Sequence, residues 1–220
     1  MNPLRRLTCT AALLAASGIA FASPTAPKEG AEYQALPDVQ PTGAGGKVEV
    51  IEFFAYYCPH CYAFEPHLAE WVKKQGDNIV FRRVHVPRGA PVAAQQRLFF
   101  TLESLGLLDQ YHAKVFNAYH VDHVHFAQDE EVFDWASRAG IDRAKFVDAY
   151  RSFGVQAKVR RAQAMMENYR ITHWPMIAID GRFLTSPGML AESGTPGEAA
   201  LDGTLKVMDA LVTRAKADKK

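Results

Sequence analysis

The chain has 220 residues, 48% of them hydrophobic and 22% charged, with a formal net charge of +1. That length and apolar content suit one or two compact domains with a sizeable core, and they exclude general disorder beyond the ends. The balanced charge, with no basic stripe and only a short solvated tail at Lys216, Lys219 and Lys220, argues against a nucleic-acid partner.

Met1 to Ala22 opens with Arg5 and Arg6, continues as an apolar run through Leu13, Leu14 and Ile19, and ends in a small-x-small site at Ala20, Phe21 and Ala22. This is the pattern of a secretory signal peptide cleaved before Ser23. The run is shorter than the about 20 apolar residues that a spanning helix needs. Cys9 lies inside it, too close to Arg6 to be a lipoprotein cysteine. Removing Arg5 and Arg6 takes the net charge from +1 to −1 and leaves Cys58 and Cys61 as the remaining cysteines. In an oxidising compartment a lone C-x-x-C pair is a structural disulfide or a redox centre. Closing so small a loop gains little chain entropy, which favours the redox centre.

Ser23 to Pro41, with four prolines, reads as an extended lead-in with a short edge strand at Tyr33 to Leu36. After a turn at Gly43 to Gly46, the run Val48 to Phe54 has the Val, Ile and Phe content of a central strand covered on both faces. It leads into Cys58, Pro59, His60 and Cys61. A helix follows to about Gln75, with Tyr62, Phe64, Glu65, Leu68 and Val72 on recurring turns. Proline favours the first helical position, so Cys58 is placed at the N-cap. Unpaired N–H groups and the positive helix end then face its sulfur and favour the thiolate. Such thiols fall to roughly 3.5 to 7.5 from about 8.5. Lowered to ~4, the thiol stabilises the dithiol form at pH 7 by roughly 4 kcal/mol, on the order of 90 mV of oxidising power.

A Gly76-Asp77-Asn78 turn precedes a second strand, Ile79 to Val86, in which Ile79, Phe81 and Val84 alternate with Arg82 and Arg83. From Pro87 to about Arg170 the pattern is helical. Segments run from Ala93 to Leu105, Asp109 to Tyr119, Asp129 to Ala139, Asp142 to Phe153 and Val155 to Tyr169, with Asp expected as N-cap and Gly106, Gly140 and Gly154 as stops. Met165 and Met166 are read as core. The run of His120, Asp122, His123 and His125 is read as a surface loop, because its spacing fits no regular metal-ligand pattern. Strands resume at Met176 to Ile179 and Arg182 to Thr185 around a two-residue turn, Asp180-Gly181, and Glu198 to Lys216 closes the chain as an amphipathic helix.

The EFF strand with its acid, running into CPHC, resembles the DsbA family of periplasmic thiol oxidases. That family supplies the standing example of a low thiol pKa and a strongly oxidising pair, so the magnitudes above are not independent of it. The specific match is confined to Glu52 to Cys61 and to Pro175. The resemblance implies an α/β chain, a thioredoxin fold with an inserted all-helical domain: a thioredoxin-like domain over 23–87 and 171–220 and helices over 88–170.

It also implies roles for individual residues. Cys58 is the expected nucleophile and Cys61 its bridging and resolving partner, with the Cys58–Cys61 disulfide as the redox group and no other cofactor or metal. His60 is expected to donate to the Cys58 thiolate or to place positive charge near it. Glu52, if buried, has a raised pKa and exchanges a proton with Cys61; otherwise it faces solvent or pairs with Arg82 or Arg83. Glu49 points to the opposite face. Pro175 is expected to be cis, turning the backbone of residue 174 toward the cysteines. Trp174 departs from the small or β-branched residue usual there. It either widens the apolar platform for substrates or packs under the helical domain, and His173 beside it adds a titratable group.

The function implied is donation of the disulfide to newly secreted proteins, with reoxidation by a DsbB-like membrane protein, in a monomer of the periplasm. A reductase or isomerase is the alternative within the enzyme class. A metallochaperone holding copper or zinc through Cys58, Cys61 and His60 or His67 is the alternative outside it.

Overall fold

The computed structural model describes residues 27–87, 89 and 92–219. The expected signal segment, its cleavage point before Ser23, and Cys9 lie outside the described residues.

Strand β2 (Val48–Phe54) is buried along its whole length, as expected of a β-branched and aromatic run covered on both faces. It lies inside a sheet of order β1-β5-β4-β2-β3, next to the β3 edge. On one side it pairs in parallel with β3 (Ile79–His85), which sets Glu52 opposite Arg83. On the other it pairs antiparallel with β4 (Met176–Ile179), which sets Glu52 opposite Ile177. β1 (Gln34–Ala35) joins antiparallel to β5 (Phe183–Thr185) at the edge. Between β2 and β3 runs α1 (Pro59–Gln75), stopped by Gly76 in the left-handed region at φ 49°.

Five helices lie between β3 and β4: α2 (Ala93–Ser104), α3 (Leu108–His120), α4 (Asp129–Arg138), α5 (Arg143–Arg151) and α6 (Phe153–Asn168). Of the three expected Asp caps, Asp142 holds, its Oδ1 accepting the Lys145 N–H at 2.8 Å. Asp109 and Asp129 sit inside the first turn instead, where a carboxylate still meets the positive helix end. Gly106 and Gly140 follow their helices with positive φ. Gly154 ends nothing: Ser152 caps α6 by accepting the Val155 N–H, so α5 stops at Arg151 and Gly154 lies within the next helix.

The hairpin turn is one residue longer than expected, with Ile179 paired to Phe183. Asp180 and Gly181 both have positive φ. The Gln40 N–H donates to the Gly181 carbonyl at 2.8 Å, and a Cβ at 181 would stand 2.1 Å from the Gln40 carbonyl oxygen. Only glycine fits this crossing. The short α7 (Pro187–Glu192), which hydropathy did not reveal, starts at a Ser186 cap with Pro187 at N1. α8 (Glu198–Ala217) closes the chain.

The sheet separates two cores. Val48, Val50, Phe64 and Leu68 pack with Val207, Met208 and Leu211 of α8. Phe53 on the opposite face and Phe54 at the end of β2 belong to a second core with Leu98, Phe99, Phe116 and other apolar residues of the helical segment. Met165 and Met166 pack at that core's margin. Phe54 is fully buried and meets the rings of Tyr56, His85, Phe99, His112 and Phe116 at 5.1–5.8 Å. Among the described residues no helix is long and apolar enough to cross a membrane.

Candidate active site

β2 delivers the chain to a turn in which the Cys58 N–H donates to the Ala55 carbonyl at 3.1 Å. Pro59 at N1 and the extended backbone of Cys58 then set Cys58 as the N-cap, its Sγ accepting the Cys61 N–H at 3.4 Å. The Trp174–Pro175 peptide is cis, and the Trp174 carbonyl oxygen lies 3.6 Å from the Cys58 Sγ. Both cysteines are thiols. Cys58 keeps 5% exposure and Cys61 none.

This asymmetry carries into their acidity. Cys58 is lowered to about 7, first by the hydrogen bond from the Cys61 side chain and then, against burial, by the backbone N–H groups of Cys61 and His60. Burial pushes Cys61 well up, and the nearby charges of Cys58 and Glu52 add to it. About 7 is the upper end of the expected range. At pH 7 such a thiol is only partly ionised and stabilises the dithiol far less than the ~90 mV of a thiol at ~4. His60 contributes to the thiolate through its backbone N–H, while its side chain is exposed on the wall of two grooves.

The grooves flank Trp174. One, of about 580 Å³, touches Tyr57, Cys58, His60, Thr172 and His173; the other, of about 420 Å³, continues past Pro175, Pro187 and Leu201. Trp174 is half-buried, meets Tyr57 edge to face at 6.3 Å and packs against the helical core while lining both grooves. The two expectations for it are therefore compatible. His173 Nε2 lies 3.2 Å from the Ser186 Oγ at the head of α7.

Beneath the thiols lies a buried polar group that sequence reasoning recovered only in part. Glu52 is fully buried and also paired, its Oε2 accepting from Arg83 Nε at 3.0 Å. Burial outweighs the arginine and raises it to about 8. Glu49, on the other face, is buried and pairs with Arg82 at 3.2 Å. Arg83 also donates to Glu65 at 2.8 and 3.1 Å. His112 of α3 places Nε2 3.4 Å from Glu65 Oε2 and Nδ1 3.0 Å from the Tyr56 hydroxyl. Burial lowers His112 and raises Tyr56, so the first is neutral and the second keeps its proton. His85, pushed by burial to about 3, accepts the Tyr56 N–H at its Nε2. Glu65 was visible as the residue one turn beyond Cys61. The signal for His112 was an imidazole among the apolar positions of α3.

Glu52, Glu65 and His112 have ligand atoms within 4.8 Å of one another, but the Arg83 guanidinium already bonds both carboxylates in place of a metal ion. Cys58 and Cys61 are not gathered with His60 or His67 into such a set among the described residues; His67 faces Asp202 at 3.4 Å. The histidine run is not wholly a loop. His120 ends α3, stacks on Tyr62 with centroids 4.6 Å apart, and bonds the Tyr56 carbonyl at 2.8 Å. His123 and His125 are exposed.

A dithiol with one sulfur held at a helix end and its partner buried above an acid is built for disulfide exchange, and the chain is a thiol:disulfide oxidoreductase of the thioredoxin fold. The family described as DSBA-like thioredoxin domain matches residues 85–193, and Thioredoxin matches 43–98. The thiol:disulfide interchange protein DsbA of Burkholderia cepacia is 38% identical over 206 residues, 93% of each chain. The crystal structure of Pseudomonas aeruginosa DsbA superposes with a TM-score of 0.78 at 33% identity, covering 86% of this chain and 94% of that one. That of DsbA from Xylella fastidiosa gives 0.76 at 27%, covering 87% and 98%. The chain belongs to the DsbA family.

Proposed function

We propose that the chain is an oxidase that donates a Cys58–Cys61 disulfide to newly secreted, partly folded proteins. A substrate thiolate attacks the Cys58 sulfur, the bond to Cys61 breaks, and Cys61 leaves with the electron pair and takes the proton of the neutral Glu52 carboxyl. A second substrate thiolate then attacks the substrate sulfur of the mixed disulfide and expels Cys58 as a thiolate. The substrate gains a disulfide and the chain is left as the dithiol.

The asymmetry of the pair carries this reading: the outer sulfur is the better leaving group, and the inner one is buried beside an acid that holds a proton near neutrality. Pro59 sets the helix start, His60 supplies its N–H, and Trp174 with Pro175 forms the wall against which substrate backbone lies. Nothing beyond the cysteine pair is needed as cofactor. The proposed setting is the periplasm after removal of the signal segment, with a DsbB-like membrane protein as reoxidant, in a monomer made of a thioredoxin-like part and the helical insertion at 88–170.

One observation favours a second reading, a disulfide reductase: about 7 for Cys58 is the value typical of thioredoxin, not of a strong oxidant. The two separate when the oxidised protein is mixed with a reduced, unfolded protein bearing cysteines. The oxidase forms a mixed disulfide at Cys58 and transfers one disulfide per turnover. Loss of substrate thiols at no more than the rate of air oxidation, with rapid reduction of disulfides by the dithiol form, overturns it.

A further inference from the structure

Arg83 is the single cation bonded to two buried carboxylates, Glu52 and Glu65, and the two are not treated alike. Glu65 receives both contacts of the Arg83 NH2 and also faces the His112 Nε2. Among the described residues Glu52 is bonded by the Arg83 Nε alone, and its Oε1, like the His112 Nε2, is buried without a hydrogen-bond partner. With the Tyr56 hydroxyl, 3.0 Å away, taken as the donor to Nδ1, the ring proton falls on Nε2, the nitrogen nearer the Glu65 carboxylate. The 3.4 Å contact is not a hydrogen bond; the ring acts on Glu65 as a dipole in a buried site, where it counts for more than in water.

We propose that His112, from α3 of the helical insertion, is a positioning residue that holds Glu65 as the ionised partner of Arg83 and so leaves the proton of this site on Glu52. Two carboxylates beside one cation do not both ionise readily in a buried site. Whichever faces the Nε2 end of the buried His112 ring keeps the charge, and that carboxylate is Glu65. Burial would raise Glu65, but the His112 ring and the Arg83 charge hold it below the usual carboxylate range. Glu65 in turn adds to the elevation of Glu52. The remaining charged and titratable groups around Glu52 are Tyr56 and Cys58 from the active-site turn, Cys61 from α1, and Arg83 from β3; the β4 residue opposite is Ile177. The helical insertion thereby sets the proton inventory under Cys61, and the proposal rests on the reading of Glu52 as that thiol's proton partner.

The test is the carboxyl-carbon NMR titration of Glu52 in the reduced protein, read beside the pH profile of disulfide transfer. In His112→Leu the charge moves toward Glu52, so its midpoint falls by a unit or more, a tenfold loss of proton affinity. His112→Gln, which keeps an N–H donor, restores the midpoint. Glu65→Gln lowers it likewise, and adding His112→Leu to that variant changes nothing further, since the two act through one path. A Glu52 midpoint unchanged in His112→Leu, or in Glu65→Gln should the leucine variant not fold, overturns the proposal. A midpoint that moves while the transfer profile stays fixed upholds His112 and overturns the proton role of Glu52.

Discussion

Replacing Cys61 with alanine removes the S–H that is the largest cause of the lowered Cys58 thiol and leaves the backbone donors in place. A hydrogen bond to a charged group is worth about 1.5–3 kcal/mol, or ~1–2 pK units. The whole depression runs from 9.0 to about 7, so most of it rides on that one contact. In Cys61→Ala the Cys58 midpoint is therefore expected at about 8 or above, and the thiolate share at pH 7 falls from about a half to about a tenth or less. Ultraviolet absorbance of the thiolate across pH measures the midpoint, and the pH profile of alkylation checks it. A midpoint that stays near 7 would instead assign the depression to the helix end and its N–H groups.

Glu52, held protonated by burial up to about 8 against 4.5 for the free group, favours the folded state fully below pH 4.5; that stability is lost as pH rises toward 8. Glu52→Gln is thus expected to stabilise the reduced protein at pH 7 by on the order of 2–3 kcal/mol and to have no such effect near pH 4, and urea unfolding at both pH values decides it. Gly181→Ala meets the Gln40 carbonyl and a positive φ together, and its urea midpoint should fall by the equivalent of about 2 kcal/mol or more. Phe54→Ala empties the centre of the aromatic cluster and should cost about 3–5 kcal/mol by the same assay; a loss under about 1 kcal/mol would mean that the site collapses.

The central strand, the active-site helix and its cap were legible because each depends on local chemistry: a β-branched run, a proline at N1, a sulfur before it. The helix starts were less so. An aspartate serves a cap and a first turn almost equally, and only the structure separates Asp142 from Asp109 and Asp129. Ser152 outcompeted Gly154 as the break because a hydroxyl cap begins a helix where a glycine only weakens one. In the site, Cys58, Cys61, Glu52 and Pro175 could be read from spacing and resemblance. Arg83, Glu65 and His112 meet Glu52 only through the β2–β3 register and the seating of α3 on α1, long-range facts that no local pattern carries.

A Cys58 thiol lowered only to about 7 stabilises the dithiol little at pH 7, so a strongly oxidising couple requires a disulfide form that is itself destabilised. The equilibrium potential of the Cys58–Cys61 couple in glutathione buffers tests that claim most directly. A value above about −200 mV, toward the about −120 mV of strong oxidants, is expected. A value near the about −270 mV of thioredoxin would contradict the oxidase reading and make the chain a reductase.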